Sequence, residues 1–318
     1  MEILIRPYRP ADREAVAAIH DKARRNELEL AGLPTAFIPF AATAAAEGFF
    51  DYPHIDVAEV GGQVAGFSAY TGEELGWLYV DPALKRQGIG RQLVRQALKN
   101  EPELYYLELL AGNFPARKLY ESEGFVSQKT LHGRMPGNES FAVTVDLLIR
   151  PDAAFAFEAA SIEDVEEVLN LIRARIHWMD EVGIQQWNRR DYFAAYPPAH
   201  YQKAVKEGRL YILRDRLSGH IAAAGVYPKG DRYWDDPDGR AGAGYLHNFV
   251  SSRAFPGAGG RLLDKLEELA RGEGKTRFRI DCNAQNLKLN AYYQSRGYEP
   301  AGEVWDDNYR GIRREKKL

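Results

Sequence analysis

The sequence predicts a mixed α/β fold built twice in one chain, and three observations predict it. Short runs rich in β-branched and aromatic residues alternate with amphipathic helical runs along the whole length. A strand, a glycine-punctuated turn and a helix occur at 74–98 and again at 245–271. The spacing then repeats: Gly88 precedes Gly257 by 169 residues, and Asn113, Tyr120 and Gly124 precede Asn286, Tyr293 and Gly297 by 173. A four-residue insertion, about one helical turn, reconciles the two offsets. At 318 residues the chain is long enough for two ordinary domains. The Pro151-containing stretch 149–154 is the expected linker, which sets the domains at 1–149 and 150–318.

In the first half, 2–6 is expected as a strand, and Pro10 opens a helix through about Asn26 with Val16, Ala17 and Ile19 on one face. His20 is placed at the edge of that apolar stripe. The segment 27–54 carries Pro34, Pro39 and Pro53 among Phe37, Phe40, Phe49, Phe50 and Tyr52. It is read as a mobile wall over a binding cleft in preference to packed short helices. Strands follow at 55–60 and 64–70, turned at Gly61-Gly62. The central strand is 74–80, and Asp81-Pro82 ends it. In the helix after it, Ile89, Leu93, Val94 and Ala97 share one face. A strand at 104–110 leads to a short helix ending at Gly124. Asn113 and Tyr120, seven residues apart, lie on one face of it. Strands at 126–131 and 141–148 close the unit.

The second half repeats this order. A strand at 155–158 precedes a helix from a Ser161 cap to about Val182. A hairpin joins 210–213 to 221–226, and one strand runs from Tyr245 to Val250. A glycine turn, a helix to Arg271, a strand at 278–282 and the Asn286–Tyr298 helix complete it. The basic run Arg313-Arg314-Glu315-Lys316-Lys317 is read as a solvated last strand.

Composition narrows the function classes. A net charge of −3 argues against a dedicated nucleic-acid surface. The single cysteine, Cys282, excludes an internal disulfide and a cysteine-based zinc site, and no metal is expected. Cys282 is placed as a small core residue rather than a nucleophile. The first residues lack the pattern of a signal peptide, and the most apolar window, 36–50, is too short to span a bilayer. A cytoplasmic protein without membrane partner is expected.

The stretch Lys85-Arg86-Gln87-Gly88-Ile89-Gly90-Arg91 has the chemistry of an anion cradle. It leaves backbone N–H groups free at a helix N-terminus and sets Lys85, Arg86 and Arg91 around them. It is neither a nucleotide-hydrolase P-loop nor a three-glycine dinucleotide fingerprint. Its counterpart, Gly257-Ala258-Gly259-Gly260-Arg261, has Ala254 where Lys85 would stand.

With Asn113, Ala116, Tyr120, Gly124 and Phe125 in one half and Asn286, Tyr293, Gly297 and Tyr298 in the other, the chain resembles the GNAT superfamily of acetyl-CoA-dependent N-acyltransferases, twice. The resemblance implies a central, mostly antiparallel sheet flanked by helices in each domain. It implies acetyl-CoA as cofactor, with the pyrophosphate on the N–H groups from Arg86 to Arg91 and the pantetheine along Leu78 and Val80, near Asn113 and Ala116. Tyr120 would protonate the departing thiolate, and Glu74, at the entry of the central strand, is the candidate base. The matching set in the second half is Phe249, Val250, Gly257, Gly259, Gly260, Arg261, Asn286 and Tyr293, with His247 as candidate base. Trp178, Trp187, Tyr196 and Trp234 are read as core aromatics beside an exposed acidic loop of Asp231, Asp235, Asp236 and Asp238, in preference to an aromatic and acidic pocket for a cationic amine.

The expected activity is acetyl transfer to a primary amine of a small molecule or peptide, in a chain able to form a homodimer. The first domain is the better catalyst, since it has the fuller phosphate turn. Two rivals remain at this stage: one catalytic domain beside a degenerate substrate-binding or structural one, and a non-catalytic acyl-CoA sensor.

Overall fold

The computed structural model describes residues 2–189, 191–306 and 309–318. The chain divides into two compact units, Met1–Ala154 and Phe155–Leu318. Among the described residues no helix is long and apolar enough to cross a membrane.

The first unit runs β1 (Leu4–Pro7), α1 (Arg13–Leu30), α2 (Phe40–Ala46), β2 (His54–Val60), β3 (Gln63–Tyr70), β4 (Leu75–Val80), α3 (Ile89–Asn100), β5 (Tyr106–Leu110), α4 (Phe114–Ser122), β6 (Val126–Met135) and β7 (Asn138–Ile149). Strands β1-β2-β3-β4 form one antiparallel sheet, and β5-β7-β6 form a second. The chain entering β4 meets β5 at the parallel bridge Glu74–Tyr106 and through the Glu73 carbonyl, which accepts from the Tyr105 and Tyr106 N–H groups. Beyond it the two strands part, so β4 keeps an unpaired edge facing β5. Helix α3 buries Ile89, Leu93, Val94 and Ala97, the apolar face its spacing predicts.

Several boundaries move for physical reasons. Helix α1 continues to Leu30, four residues past the expected end, because Leu28 is fully buried against Leu110, Met135 and Val143. His20 lies inside the stripe rather than at its edge, 2% exposed, with its ring against Phe40, Trp77 and Tyr79. The segment after α1 is packed rather than an open wall. Phe40 and Phe49 are buried in one aromatic cluster with Phe67 and Trp77. Truncating Phe49 to alanine would leave a cavity costing about 3–5 kcal/mol.

The second unit runs β8 (Phe155–Ala159), α5 (Val165–Glu181), α6 (Tyr192–Ala195), α7 (Pro198–Lys206), β9 (Leu210–Asp215), β10 (Ile221–Val226), β11 (Ala243–Tyr245), β12 (His247–Ser251), α8 (Ala258–Gly272), β13 (Arg277–Asn283), α9 (Leu287–Ser295), β14 (Glu299–Asp306) and β15 (Tyr309–Lys317). Its sheets are β12-β10-β9-β8 and β11-β13-β15-β14. Ser161 does not cap α5: its N–H and hydroxyl both donate to Asp164, and the helix starts at Val165. The single strand expected from Tyr245 to Val250 is broken in two. Its first part pairs in parallel with β13 and its second antiparallel with β10, so the chain crosses from one sheet to the other at Leu246. A register shift against β10 accompanies a left-handed Asn248 at φ 48°. Arg314, in the C-terminal basic run, is buried rather than solvated, and donates to Asn290 and to the Tyr298 carbonyl.

Candidate active site

In the first unit the turn after β4 brings the chain to the N-terminus of α3. Gly88 holds φ +86°, a conformation that a side chain would strain, and serves as the residue before the helix. The Gln92 N–H, bonded to the Gly88 carbonyl at 3.1 Å, begins the paired ladder. The N–H groups of Ile89, Gly90 and Arg91 precede it and have no intrahelical acceptor. They form a cradle with partial positive charge beside the open edge of β4. Arg86 is also left-handed, at φ 66°. The Lys85 ammonium donates to Asn26 of α1. Arg91 turns away from the cradle, to Glu123 at 2.9 Å and Ser122 at 3.2 Å. Leu78 and Val80 are half-buried and pack against the α3 side.

Two of this unit's polar clusters involve the candidate residues. In the first, the Tyr52 hydroxyl donates to Glu74 at 3.4 Å. Burial first, then the charge of Glu108, raise the Glu74 carboxyl above its usual range, against hydrogen bonds from Tyr52 and Tyr106. A side chain at Gly76 would collide with the Tyr52 hydroxyl, so glycine there makes room for this contact. The second cluster centres on Glu27 of α1, a residue the sequence did not single out. Glu27 pairs with Arg24 at 2.7 Å and accepts from Tyr79 at 3.2 Å and from Asn113 at 3.4 Å. Its signal in the sequence was an ordinary Arg–Glu pair three residues apart, which usually marks a solvated helix face.

Tyr120 is buried, and burial, reinforced by the Glu27 charge, raises its phenol well above the ordinary value. The carboxylate close to Tyr120 is thus Glu27, while Glu74 has Tyr52, Tyr106 and Glu108 around it. Asn113 caps α4 through the Ala116 N–H at 3.3 Å, and Asn286 caps α9 through the Leu289 N–H at 3.1 Å. The recurring asparagine therefore has a structural cause in both copies.

The second unit reproduces the cradle. Gly257 holds φ +85°, and the Arg261 N–H bonds the Gly257 carbonyl at 3.1 Å, so Ala258, Gly259 and Gly260 offer the free N–H groups. Ala254 removes one cation, but α5 supplies another. Arg175 donates to the Ser251 carbonyl at the end of β12, and its guanidinium stacks on Trp178 at 4.9 Å. Arg253 lies over the same ring at 5.4 Å. Among the described residues neither arginine has a carboxylate partner. Phe249 and Val250 lie on β12, and Tyr293 is buried, its phenol raised by burial before all else.

His247 opens β12 where the two sheets part. Its Nε2 lies 2.9 Å from Oδ2 of Asp231, in the loop before β11. Asp281 of β13 completes a group whose donor atoms lie within 4.8 Å of one another. Burial opposes the imidazolium, but the Asp231 hydrogen bond and the charges of Asp231 and Asp281 outweigh it and raise its pKa. Burial raises the Asp281 carboxyl, and Tyr309 donates to it at 2.5 Å. The alternative aromatic pocket is not open to a ligand. Arg279 and Arg313 cover Trp234 at 4.6 and 5.4 Å, two arginines cover Trp178, and Trp187 and Tyr196 pack on Tyr192. Asp236 is spent on the N–H groups of Arg240 and Ala241 and on the Tyr245 hydroxyl. Cys282 is buried with its thiol pushed up to about 11, so it is no nucleophile at neutral pH.

Two family models match this chain, an acetyltransferase (GNAT) domain over residues 49–127 and the acetyltransferase (GNAT) family over 175–298. The chain is a tandem GNAT acetyltransferase. The two matches contain both cradles and both Asn–Tyr helices, and they make the chain an acyltransferase enzyme of a fold class that uses acetyl-CoA. The chain is 28% identical over 148 residues to the uncharacterized N-acetyltransferase YesJ of Bacillus subtilis, which spans 45% of this chain and 81% of the relative. Among solved structures, a GNAT-family acetyltransferase from Listeria monocytogenes is 24% identical with a TM-score of 0.43, covering 52% of this chain and 95% of its own. The PaiA N-acetyltransferase from Thermoplasma acidophilum, solved with coenzyme A, is 15% identical with a TM-score of 0.40, covering 52% of this chain and 99% of its own.

Proposed function

We propose that this protein transfers the acetyl group of acetyl-CoA to a primary amine, by direct attack of the amine nitrogen on the thioester carbonyl. The observation that carries the reading is the unpaired first turn of α3 set beside the open edge of β4. The pyrophosphate of CoA is held by the N–H groups between Arg86 and Arg91, with Lys85 as cationic partner. The pantetheine extends along Leu78 and Val80 past Asn113 and Ala116. Backbone N–H groups of β4 steady the carbonyl oxygen as it gains charge.

Glu74 takes the proton from the incoming ammonium, and its raised carboxyl makes it a stronger base than an ordinary glutamate. The C–N bond forms, the C–S bond breaks, and the sulfur leaves as a thiolate. Tyr120, neutral across the working pH range, donates its hydroxyl hydrogen to that sulfur and is reprotonated by the second proton shed from the acylated nitrogen. The products are the acetamide and CoA thiol, and Glu74 returns its proton to water. Calorimetry with acetyl-CoA on the wild type and on Lys85→Ala tests the cofactor site. Loss of a charge-assisted contact worth about 1.5–3 kcal/mol weakens one class of site by about 10-fold or more. Absence of binding by the wild type, with no release of CoA across an amine panel, would overturn the reading.

A further inference from the structure

We propose that the second domain is an acetylation centre in its own right, with His247 as base, Asp231 as the residue that positions it, and Asp281 as the anchor for a cationic alkylamine. The proposal rests on the reading above and extends it to a second cleft of different chemistry. Its first support is geometric. Tyr245 pairs with Arg279 across the last parallel rung. Two residues further along each strand come His247 and Asp281, where the strands have parted. In the first domain the same construction starts from the Glu74–Tyr106 bridge, and two residues on come Gly76 and Glu108. Asp281 and Glu108 therefore hold one position in two copies, 173 residues apart, the offset of the Asn–Tyr helix that follows them.

The second support is the way each group is held. Oδ1 of Asp231 accepts the Tyr233 N–H at 2.7 Å, which leaves Oδ2 for the imidazole. That bond fixes the ring, as an orienting carboxylate does for a histidine base. Tyr309 holds Asp281 from the other side. The next residue, Asn248, is tied through its amide to the Tyr192 hydroxyl at 2.7 Å and to His200 at 3.1 Å. The charged and titratable groups facing His247 are Asp231, Asp281, Arg232 and, from α7, His200. The third support is the arginine pair beside the α8 cradle. Arg175 and Arg253 restore the positive charge that Ala254 removes, so the domain retains a grip for the diphosphate of CoA.

The step balances as follows. His247, neutral with its Nε2–H donating to Asp231, takes one proton on Nδ1 from the ammonium held by Asp281. The freed amine attacks the thioester carbonyl, and its second proton passes to the departing sulfur, with Tyr293 as the nearby donor. The products are an acetamide and CoA thiol, and His247 returns its proton to water.

The test uses the full chain carrying Tyr120→Phe and Glu74→Gln, which silences the first domain. CoA release is measured with 2-phenylethylamine and 1,4-diaminobutane, cationic at neutral pH, and with 4-methoxyaniline, which is neutral there. Alkylamine turnover is expected to persist in this background. His247→Gln should then lower it about 100-fold, the scale of general-base catalysis, while changing 4-methoxyaniline turnover far less. Asp231→Asn should move the acidic limb of the kcat/KM profile to lower pH, since the imidazole loses its stabilising carboxylate, and Asp231→Glu should move it back. Asp281→Asn should raise KM for the alkylamines with kcat nearly unchanged. Equal losses for both amine classes in His247→Gln, or an unmoved limb in Asp231→Asn, overturn the assignment. So does a silenced chain that releases no CoA with any alkylamine. If the wild type then still turns over, the first-domain reading stands alone; if the wild type also fails to bind acetyl-CoA, both readings fall.

Discussion

Glu108 on β5 and Asp281 on β13 occupy the same place in two copies of one fold, yet they face different neighbours. Glu108 lies near Glu74, with the phenols of Tyr52 and Tyr106 around that carboxyl. Asp281 faces an imidazole that a second aspartate orients. The cradles differ in the same manner. The first takes its cation from the turn itself, at Lys85, whereas the second takes cations from Arg253 and, across the sheet edge, from Arg175 on α5. What has been kept in both is backbone geometry: a left-handed glycine before the helix, an asparagine cap and a buried tyrosine. What differs is the side chains that set charge and proton transfer. The two copies thus share a backbone frame and differ in the side chains around it.

The sharpest way to break the comparison is to remove the two phenols one at a time. Tyr120→Phe and Tyr293→Phe should each lower kcat of their own domain about 100-fold with little change in the KM for acetyl-CoA. If both leave turnover intact, neither tyrosine is the acid. A smaller effect is expected at the cations. Lys85→Ala and Arg175→Ala should each weaken one class of CoA site by about 10-fold, read by calorimetry; an effect of Lys85→Ala alone would leave the second cradle empty of CoA.

Smaller again is the backbone term. Gly88→Ala and Gly257→Ala force a side chain into the left-handed region, costing about 1–2 kcal/mol each. That corresponds to about 2–8 °C in the melting temperature of a domain of this size.

The smallest effect is a pH dependence of stability, and its window separates the two clefts. Glu74 has a raised carboxyl, so the folded state holds its proton more tightly than the unfolded chain. Its contribution is present at low pH and is lost as pH climbs from the ordinary 4.5 through the raised value. His247 is also raised, so its contribution is present below the ordinary 6.5 and is lost as pH climbs through its own raised value. Melting curves of Glu74→Gln and His247→Gln against the wild type should therefore converge or part in different pH ranges. Coincident windows would contradict the assignments.

Much of this was legible along the chain, because it rests on local chemistry. The glycine turns and the apolar spacing of α3 act within one turn of backbone, and the doubled spacing of Asn, Tyr and Gly made the repeat visible, although the capping role of the two asparagines emerged only in the structure. Local rules also settle where a strand or helix forms. They do not say which distant residue will face it. Glu27 sits 86 residues before Asn113, and only the docking of α1 brings the two within 3.4 Å. Arg175 reaches Ser251 across 76 residues. Asp231 finds His247 because the loop before β11 folds back onto the parting of the sheets. For Trp234 the sequence left an amine cage open beside the preferred reading as a core tryptophan, and two arginines from β13 and β15 cover it. The sequence by itself determined the repeated frame, through backbone preferences and hydrophobic period. The tertiary structure decided which charges meet in each cleft, because hydrogen bonds and ion pairs form between side chains whose separation along the chain carries no signal.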